Sequence, residues 1–358
     1  MGLIRSRPVG AWRWLALLLF TAPVALLAQT PSGVGFQPIS IHDPVSGGSM
    51  PGYVFYPSAQ ATGITRIGPY PVAASANAPA IPGAKPLVVI SHGHGGSDLG
   101  HHDLATYLAS HGFVVATLQH PGDNFRDASG DGHTAVMVGR PIQVSATISS
   151  LLDDPHWKNL IDPNRIGVAG FSNGGYTSLL LVGAVPRFQR FIDYCKRRPG
   201  DTSICATTHQ LEAEAAKHGQ TLQAMMADMQ NDLGRWGPTA DPRIKAAFAM
   251  APLSLIFDAV GAATIDRPVF LYYGDSDRML LPAENAEHIR PLIKTLAGVK
   301  VVPKADHWVF ISPCSAELAQ EARDICTDPP GVDRVKTHAQ IDADALAFFR
   351  KTLNVPAH

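Results

Sequence analysis

Gly170-Phe171-Ser172-Asn173-Gly174 follows the apolar run Ile166–Ala169, and Gly175 to Leu180 then reads as a helix. A serine between glycines at a strand-to-helix junction forms a nucleophile elbow, a strained turn that lifts the hydroxyl clear of a sheet. A serine hydroxyl is a poor nucleophile at neutral pH. It needs a histidine base, and the base needs a carboxylate to hold its tautomer and stabilise its cation.

Downstream, the apolar run Val269–Tyr273 ends in Gly274-Asp275-Ser276-Asp277-Arg278, and the run to Val302 ends in Pro303-Lys304-Ala305-Asp306-His307. Serine, acid and histidine then follow in the order Ser172, Asp277, His307. Asp275 is the alternative acid, more suited to bonding its own turn. His338, before the terminal helix, is the alternative base, and His288 falls within a predicted helix. Asp306 is assigned to the surface or to a helix cap. A tetrahedral intermediate also needs N–H donors for its oxyanion. Ser91-His92-Gly93-His94-Gly95-Gly96 follows the run Leu87–Ile90 and would supply the His94 backbone N–H, with the Asn173 N–H as the second donor. Gly93, Gly95, Gly96, Gly170 and Gly174 would shape these turns, and the His92 side chain would support them.

The same region permits a rival chemistry. His92-x-His94, with His101, His102 and His120 nearby, could hold zinc, but positions 96 and 97 are Gly and Ser, where such a motif needs an acid and a further ligand. The serine reading calls for no metal and no cofactor.

Positioning these groups requires regular elements. Strand-like runs lie at 87–90, 113–116, 165–170, 246–250, 269–273 and 299–302. Helix-period segments lie between most of them, at 102–110, 142–152, 174–183, 283–297 and 340–353. Strand and helix in alternation predict a mostly parallel sheet covered on both faces. Residues 58–84, rich in Pro, Ala and Gly, read as a loop. Residues 184–241 read as a helical insertion, in which Leu222, Met225, Met226, Met229 and Leu233 share one helix face. That face either packs on the core or forms a lid over the serine, where methionines would adapt to varied acyl groups. No repeat of solenoid length is visible.

At 358 residues, 46% hydrophobic and 16% charged, the chain can bury a large core. Its 29 basic against 30 acidic residues give no footprint for nucleic acid. Residues 1–28 carry Arg5, Arg7 and Arg13, then an apolar stretch to Leu27, the layout of a cleaved export signal. A retained anchor is the alternative, but the stretch contains Pro23 and falls short of the ~20 residues that span a bilayer. Leu26 at position −3 departs from the small-residue rule, and the absence of a nearby cysteine excludes a lipid anchor. A periplasmic or extracellular chain without stable membrane insertion is expected. The four cysteines are then expected in disulfides, with the local pairs Cys195–Cys205 and Cys314–Cys326 favoured among three pairings. Their spacing does not suit zinc.

Ser91-His92-Gly93, Asp103-Leu104-Ala105, Ala109 to Ala116, Gly170 to Gly175, Asp241 to Ala247 and Ile325 to Pro330 together resemble the exported dienelactone-hydrolase-like branch of the α/β-hydrolases, related to platelet-activating-factor acetylhydrolases. The resemblance spans roughly residues 36–353. It implies one α/β-hydrolase domain over 29–358, interrupted by the insertion 184–241. The acetylhydrolases carry their acid after the strand that follows the nucleophile helix. Here that place reads Met250-Ala251-Pro252, which directs the assignment to Asp277. Cytosolic dienelactone hydrolases use a cysteine nucleophile, so their reaction is not implied. A serine hydrolase acting on a small-molecule, lipid or polymer carboxylic ester is expected. Carbon–carbon cleavage of β-diketones on the same residues, and a non-catalytic binding protein on this scaffold, are the alternatives.

Overall fold

Leu87 to Ile90, Val114 to Ala116 and Ala246 to Met250 run without a polar residue and are buried along their whole length, the signature of strands covered on both faces. The computed structural model describes residues 1–3 and 33–356, so the expected export signal falls, from position 4 onward, outside the described residues. Among the described residues there are eleven strands: β1 (Gly33–His42), β2 (Ser49–Ser58), β3 (Thr65–Ile67), β4 (Tyr70–Val72), β5 (Ser75–Ala76), β6 (Lys85–Ser91), β7 (Val114–Leu118), β8 (Ile161–Phe171), β9 (Ile244–Met250), β10 (Val269–Gly274) and β11 (Leu296–Val302). Nine of them form one sheet in the order β11-β10-β9-β8-β6-β7-β2-β1-β5, while β3 and β4 make a small hairpin. Strands β6 to β11 are mutually parallel, and β2 pairs antiparallel with both β7 and β1.

Alternate side chains of each strand serve opposite cores, because strand periodicity is two. Leu87 and Val89 join one cluster with Val144, Ile148 and Leu151 of the helix Gly139–Asp153 and with Tyr176, Leu179 and Leu180 of Asn173–Leu181. Val88 and Ile90 join the other, with Leu104 and Leu108 of His102–Ser110 and with Ile341, Phe348 and Phe349 of Arg334–Thr352.

Several sequence expectations need correction. Residues 58–84 are not a plain loop, since they hold β3, β4 and β5. Strands β1 and β2 escaped the sequence reading because Pro38, Pro51, Gly52 and Pro57 break their pattern, and prolines demote a run. No single helix spans 283–297. That segment is a 3-10 turn Pro282–Glu284, a short helix Ala286–Ile289 and a second 3-10 turn Arg290–Leu292, and β11 already begins at Leu296. Asn285 interrupts it with a non-helical φ of −119° and ψ of −93°. Its side-chain Oδ1 instead accepts from the Ser254 and Leu255 amides at 2.9 and 3.1 Å. Pro291 then removes an N–H that a continuing helix would use. The terminal helix starts earlier than expected, at Arg334, capped by Asp333, which accepts from the Lys336 amide.

The insertion carries helices Gln189–Arg197, Thr202–Cys205, Thr207–Lys217 and Leu222–Asn231. On the last of these, Leu222, Met226 and Met229 are buried in the core cluster, and Met225 is partly buried against it, as is Leu233 just beyond the helix. The cysteines pair locally, Cys195 with Cys205 and Cys314 with Cys326.

Candidate active site

Parallel strands deliver their following loops to one end of the sheet. Ser91 at the end of β6 is level with Gly170 on β8 and Leu118 on β7, and Gly274 on β10 with Val302 on β11. The turn 92–96, the loop after β7, Ser172, Asp277 and His307 therefore emerge at the same edge.

Ser172 sits at φ 54° and ψ −115°, a conformation that side-chain-bearing residues rarely hold. The elbow is clamped on both sides. The Ser172 amide donates to the Met250 carbonyl at 2.9 Å, and its carbonyl accepts from Leu253 at 3.1 Å. A Cβ on Gly174 would stand 1.9 Å from the Ser91 carbonyl oxygen, and one on Gly170 would stand 2.1 Å from that of Gly174, so the turn closes only with glycine at both places. The segment Met250 to Leu253 thus braces the serine here.

His307 Nε2 lies 2.9 Å from Ser172 Oγ, and His307 Nδ1 lies 2.7 Å from Asp277 Oδ2. The other Asp277 oxygen accepts the Met279 and Leu280 amides at 2.9 and 2.7 Å, which fixes the carboxylate's orientation. Asp277 and His307 are both buried. The Phe171 ring packs on the His307 ring with centroids 4.7 Å apart.

The alternatives hold other positions. Asp275 accepts from the Lys304 amide at 2.6 Å and ties its own turn to the histidine loop. Asp306 caps the turn His307–Phe310 through the His307 amide at 2.8 Å and binds Arg278 Nε at 2.7 Å. His338 lies inside the terminal helix, paired with Asp103 at 2.5 Å, and its Nε2 donates to the Val309 carbonyl at 2.8 Å. It therefore steadies the histidine turn from behind. His288 Nε2 bonds the Phe257 carbonyl at 2.8 Å.

The His94 amide has no acceptor among the described residues, and Asn173 opens a helix, where the first N–H groups lack intrahelical acceptors. Both residues line the cavity that holds Ser172. The supporting histidines are committed within the protein. His92 Nδ1 bonds the Gly93 carbonyl at 2.6 Å while its Nε2 accepts from the His120 amide at 3.1 Å. His120 spans Ser91 Oγ at 2.9 Å and Gln143 Oε1 at 2.6 Å. Burial pushes His92 down to about 3, so it stays neutral. The His92 and His120 rings, bonded in this way, have no lone pair to offer zinc, while His102 makes no hydrogen bond through either ring nitrogen among the described residues; these hold no cluster of three metal-ligating side chains.

Two residues of this site were not singled out in the sequence. Asp123, after β7, and Arg140, at the start of the helix Gly139–Asp153, form a wholly buried ion pair at 2.6 Å. Burial alone would raise the Asp123 carboxyl, but Arg140 and His94 hold it well below the usual carboxylate range. Its hydrogen bond in turn raises His94 above an ordinary histidine. Asp123 could have drawn notice as an acid at the carboxyl end of a parallel strand, and Arg140 as the one basic residue of the helix Gly139–Asp153.

The cavity above Ser172 has a volume of about 240 Å³. The core side supplies Leu253, Ile256, Met279, Leu280 and Trp308, and the insertion supplies Phe188, Phe191, Ile204, Leu211, Met226 and Met229. Among the described residues no lysine or arginine lines it, and Asp131 is the one carboxylate in its lining.

Sheet order, elbow and loops define an α/β-hydrolase fold. A family model for platelet-activating factor acetylhydrolase, isoform II, matches residues 59–131, the stretch that contains the His92–Gly96 turn and Asp123. A ferulic acid esterase from Streptomyces cinnamoneus, solved at 2.4 Å, is similar in fold, with a TM-score of 0.58 and 18% identity over 94% of this chain and 93% of that one. The chain is thus similar, in part of its sequence and in its fold, to the hydrolase branch its motifs resemble.

Proposed function

We propose that this protein is a serine hydrolase that cleaves neutral, apolar carboxylic esters. The observation that carries the reading is the hydrogen-bonded series Asp277, His307, Ser172 at the floor of an apolar cavity. With Nδ1–H donated to Asp277, His307 presents Nε2 as an acceptor to the serine proton. Ser172 Oγ attacks the ester carbonyl carbon as its proton passes to Nε2, and the His94 and Asn173 amides receive the oxyanion. Collapse of the intermediate breaks the carbon–oxygen bond to the leaving alcohol, which takes the proton from His307. Water then repeats the sequence on the acyl-enzyme and releases the carboxylic acid. The partial family match and the esterase neighbour support an ester as substrate.

A cavity whose described lining has no lysine or arginine, and whose His94 is already paired with Asp123, gives an anionic substrate little counter-charge, whereas apolar walls favour alkyl or aryl groups. Two disulfides and the arginine-bearing apolar leader support export to an oxidising compartment. Among the described residues no helix is long and apolar enough to cross a membrane. The test is a panel of p-nitrophenyl esters of increasing chain length beside a β-diketone, with fluorophosphonate labelling of Ser172. Ester turnover with labelling at Ser172 supports the reading. Cleavage of the diketone alone, or no labelling, overturns it.

A further inference from the structure

An oxyanion hole works only if its donors stand at the right place before charge develops, because reorganisation during reaction would cost what the hydrogen bonds gain. Here the two donors come from loops far apart in sequence, the turn after β6 and the elbow after β8. Something must set the distance between them.

The Asp123 carboxylate reaches both. Its Oδ1 accepts from His94 Nδ1 at 2.7 Å and from the Gly95 amide at 2.9 Å. Its Oδ2 accepts from Asn173 Nδ2 at 2.8 Å and from Arg140 Nη1 at 2.6 Å. Arg140 Nη2 in turn donates to Ser91 Oγ at 3.1 Å and to the His92 carbonyl. Four donors thus converge on one buried carboxylate, two from the His94 turn, one from Asn173 and one from the guanidinium that holds the preceding carbonyl.

We propose that the Asp123–Arg140 pair positions the oxyanion donors by clamping the His94 turn to Asn173. The proposal rests on the serine-esterase reading. A buried ion pair is seldom worth more to stability than apolar residues of equal volume, so its place here is explained by geometry. Arg140 is also required electrostatically. A bare carboxylate beneath a developing oxyanion would repel it, and pairing with the guanidinium cancels that field. Asp123 and Arg140 touch no substrate and act through the two amides.

The test compares the full-length wild type with Asp123→Asn, Asn173→Ala and Ser172→Ala. Rates of the variants that keep Ser172 are expressed per site titrated by a fluorophosphonate, so that misfolded protein does not count, and that of Ser172→Ala per mole of protein with a wild-type thermal unfolding transition. Asp123→Asn keeps the shape of the side chain and is expected to lower kcat on the order of 100-fold, as loss of one oxyanion donor does. KM is expected to stay within about twofold, because ground-state binding is untouched. A trifluoromethyl ketone matched to the best ester, which mimics the tetrahedral state, should bind weaker by the same factor as kcat falls. Asn173→Ala removes one arm and leaves the ion pair whole. It keeps the proposal testable if Asp123→Asn does not fold, with kcat expected to fall about tenfold at unchanged KM. Full kcat in the variants beside an inert Ser172→Ala overturns this proposal alone, as does a loss seen only in KM. Hydrolysis that survives Ser172→Ala overturns the serine reading and this proposal with it.

Discussion

His307 Nε2 stands 2.9 Å from Ser172 Oγ although 135 residues separate the two in sequence. The contact is held from several sides. Asp277 fixes one edge of the imidazole, Phe171 packs on its face, and His338 holds the carbonyl of Val309 in the same turn.

Removing members of this series should affect turnover far more than binding. Ser172→Ala and His307→Ala are each expected to lower kcat on the order of a million-fold, and Asp277→Asn about 10⁴-fold, since the imidazole would then favour the wrong tautomer. Steady-state kinetics on the best p-nitrophenyl ester check this. A Ser172→Ala rate near wild type would refute the assignment.

Chain-length preference should be set by the insertion. Phe191 lines the cavity and is only partly buried, so Phe191→Ala enlarges the pocket at modest cost to the core. The variant is expected to raise kcat/KM for long or branched acyl esters relative to short ones by about 10-fold, the scale of one or two methylenes in an apolar pocket. An unchanged profile across the ester panel would show that acyl groups lie elsewhere.

The Cys195–Cys205 disulfide closes a short loop, with a sequence separation of 10. That loop carries Ser203, whose hydroxyl donates to the Arg278 carbonyl next to Asp277 at 2.9 Å. Replacing both cysteines by serine should destabilise this region by about 3 kcal/mol on chain-entropy grounds. Limited proteolysis should then cut first within 189–217, while Cys314→Ser/Cys326→Ser should leave that segment protected. Equal protection in both double variants would contradict a local role.

Stability should fall as pH rises from about 6.5 to 8, above the range in which the buried neutral histidines His92 and His101 favour folding as pH rises. Burial raises Asp342 to about 8, with Asp103 adding to the effect and His338 opposing it. The folded chain therefore keeps a proton that the unfolded chain releases above about 3.9. His338 acts in the same direction. Burial alone would lower it, but Asp103 raises it above an ordinary histidine, so its contribution is present below about 6.5 and is lost as pH climbs through the raised value. Asp342→Asn is expected to gain roughly 1–3 kcal/mol over wild type at pH 8 and little at pH 5, read by thermal unfolding. An equal gain at both pH values would show that burial of a polar side chain, not its ionisation, is responsible.

Much of the chemistry was legible along the chain because each part has a local cause. The Gly-x-Ser-x-Gly elbow needs glycines where backbones meet, the acid and base follow strand ends, and unbroken apolar runs identify buried parallel strands. Strands β1 and β2 were not legible, since prolines and glycines hide a two-residue period that pairing alone restores. Asn285 likewise ends a helical pattern for a reason that lies in the backbone of 254 and 255, about thirty residues earlier in the chain.

Ser172, Asp277 and His307, with the His94 turn and Asn173 beside them, could be named from residue type and order alone, and the local disulfide pairs favoured among three, because strand ends and turn chemistry are encoded nearby. Whether those groups meet, which wall of the cavity the insertion forms, and that Asp123 and Arg140 link the His94 turn to Asn173 were decided only by tertiary structure. The reason is physical. Residue type and place in the chain mark a carboxylate and a guanidinium as candidates at most, and their partners are chosen by how strands from distant parts of the chain pack side by side.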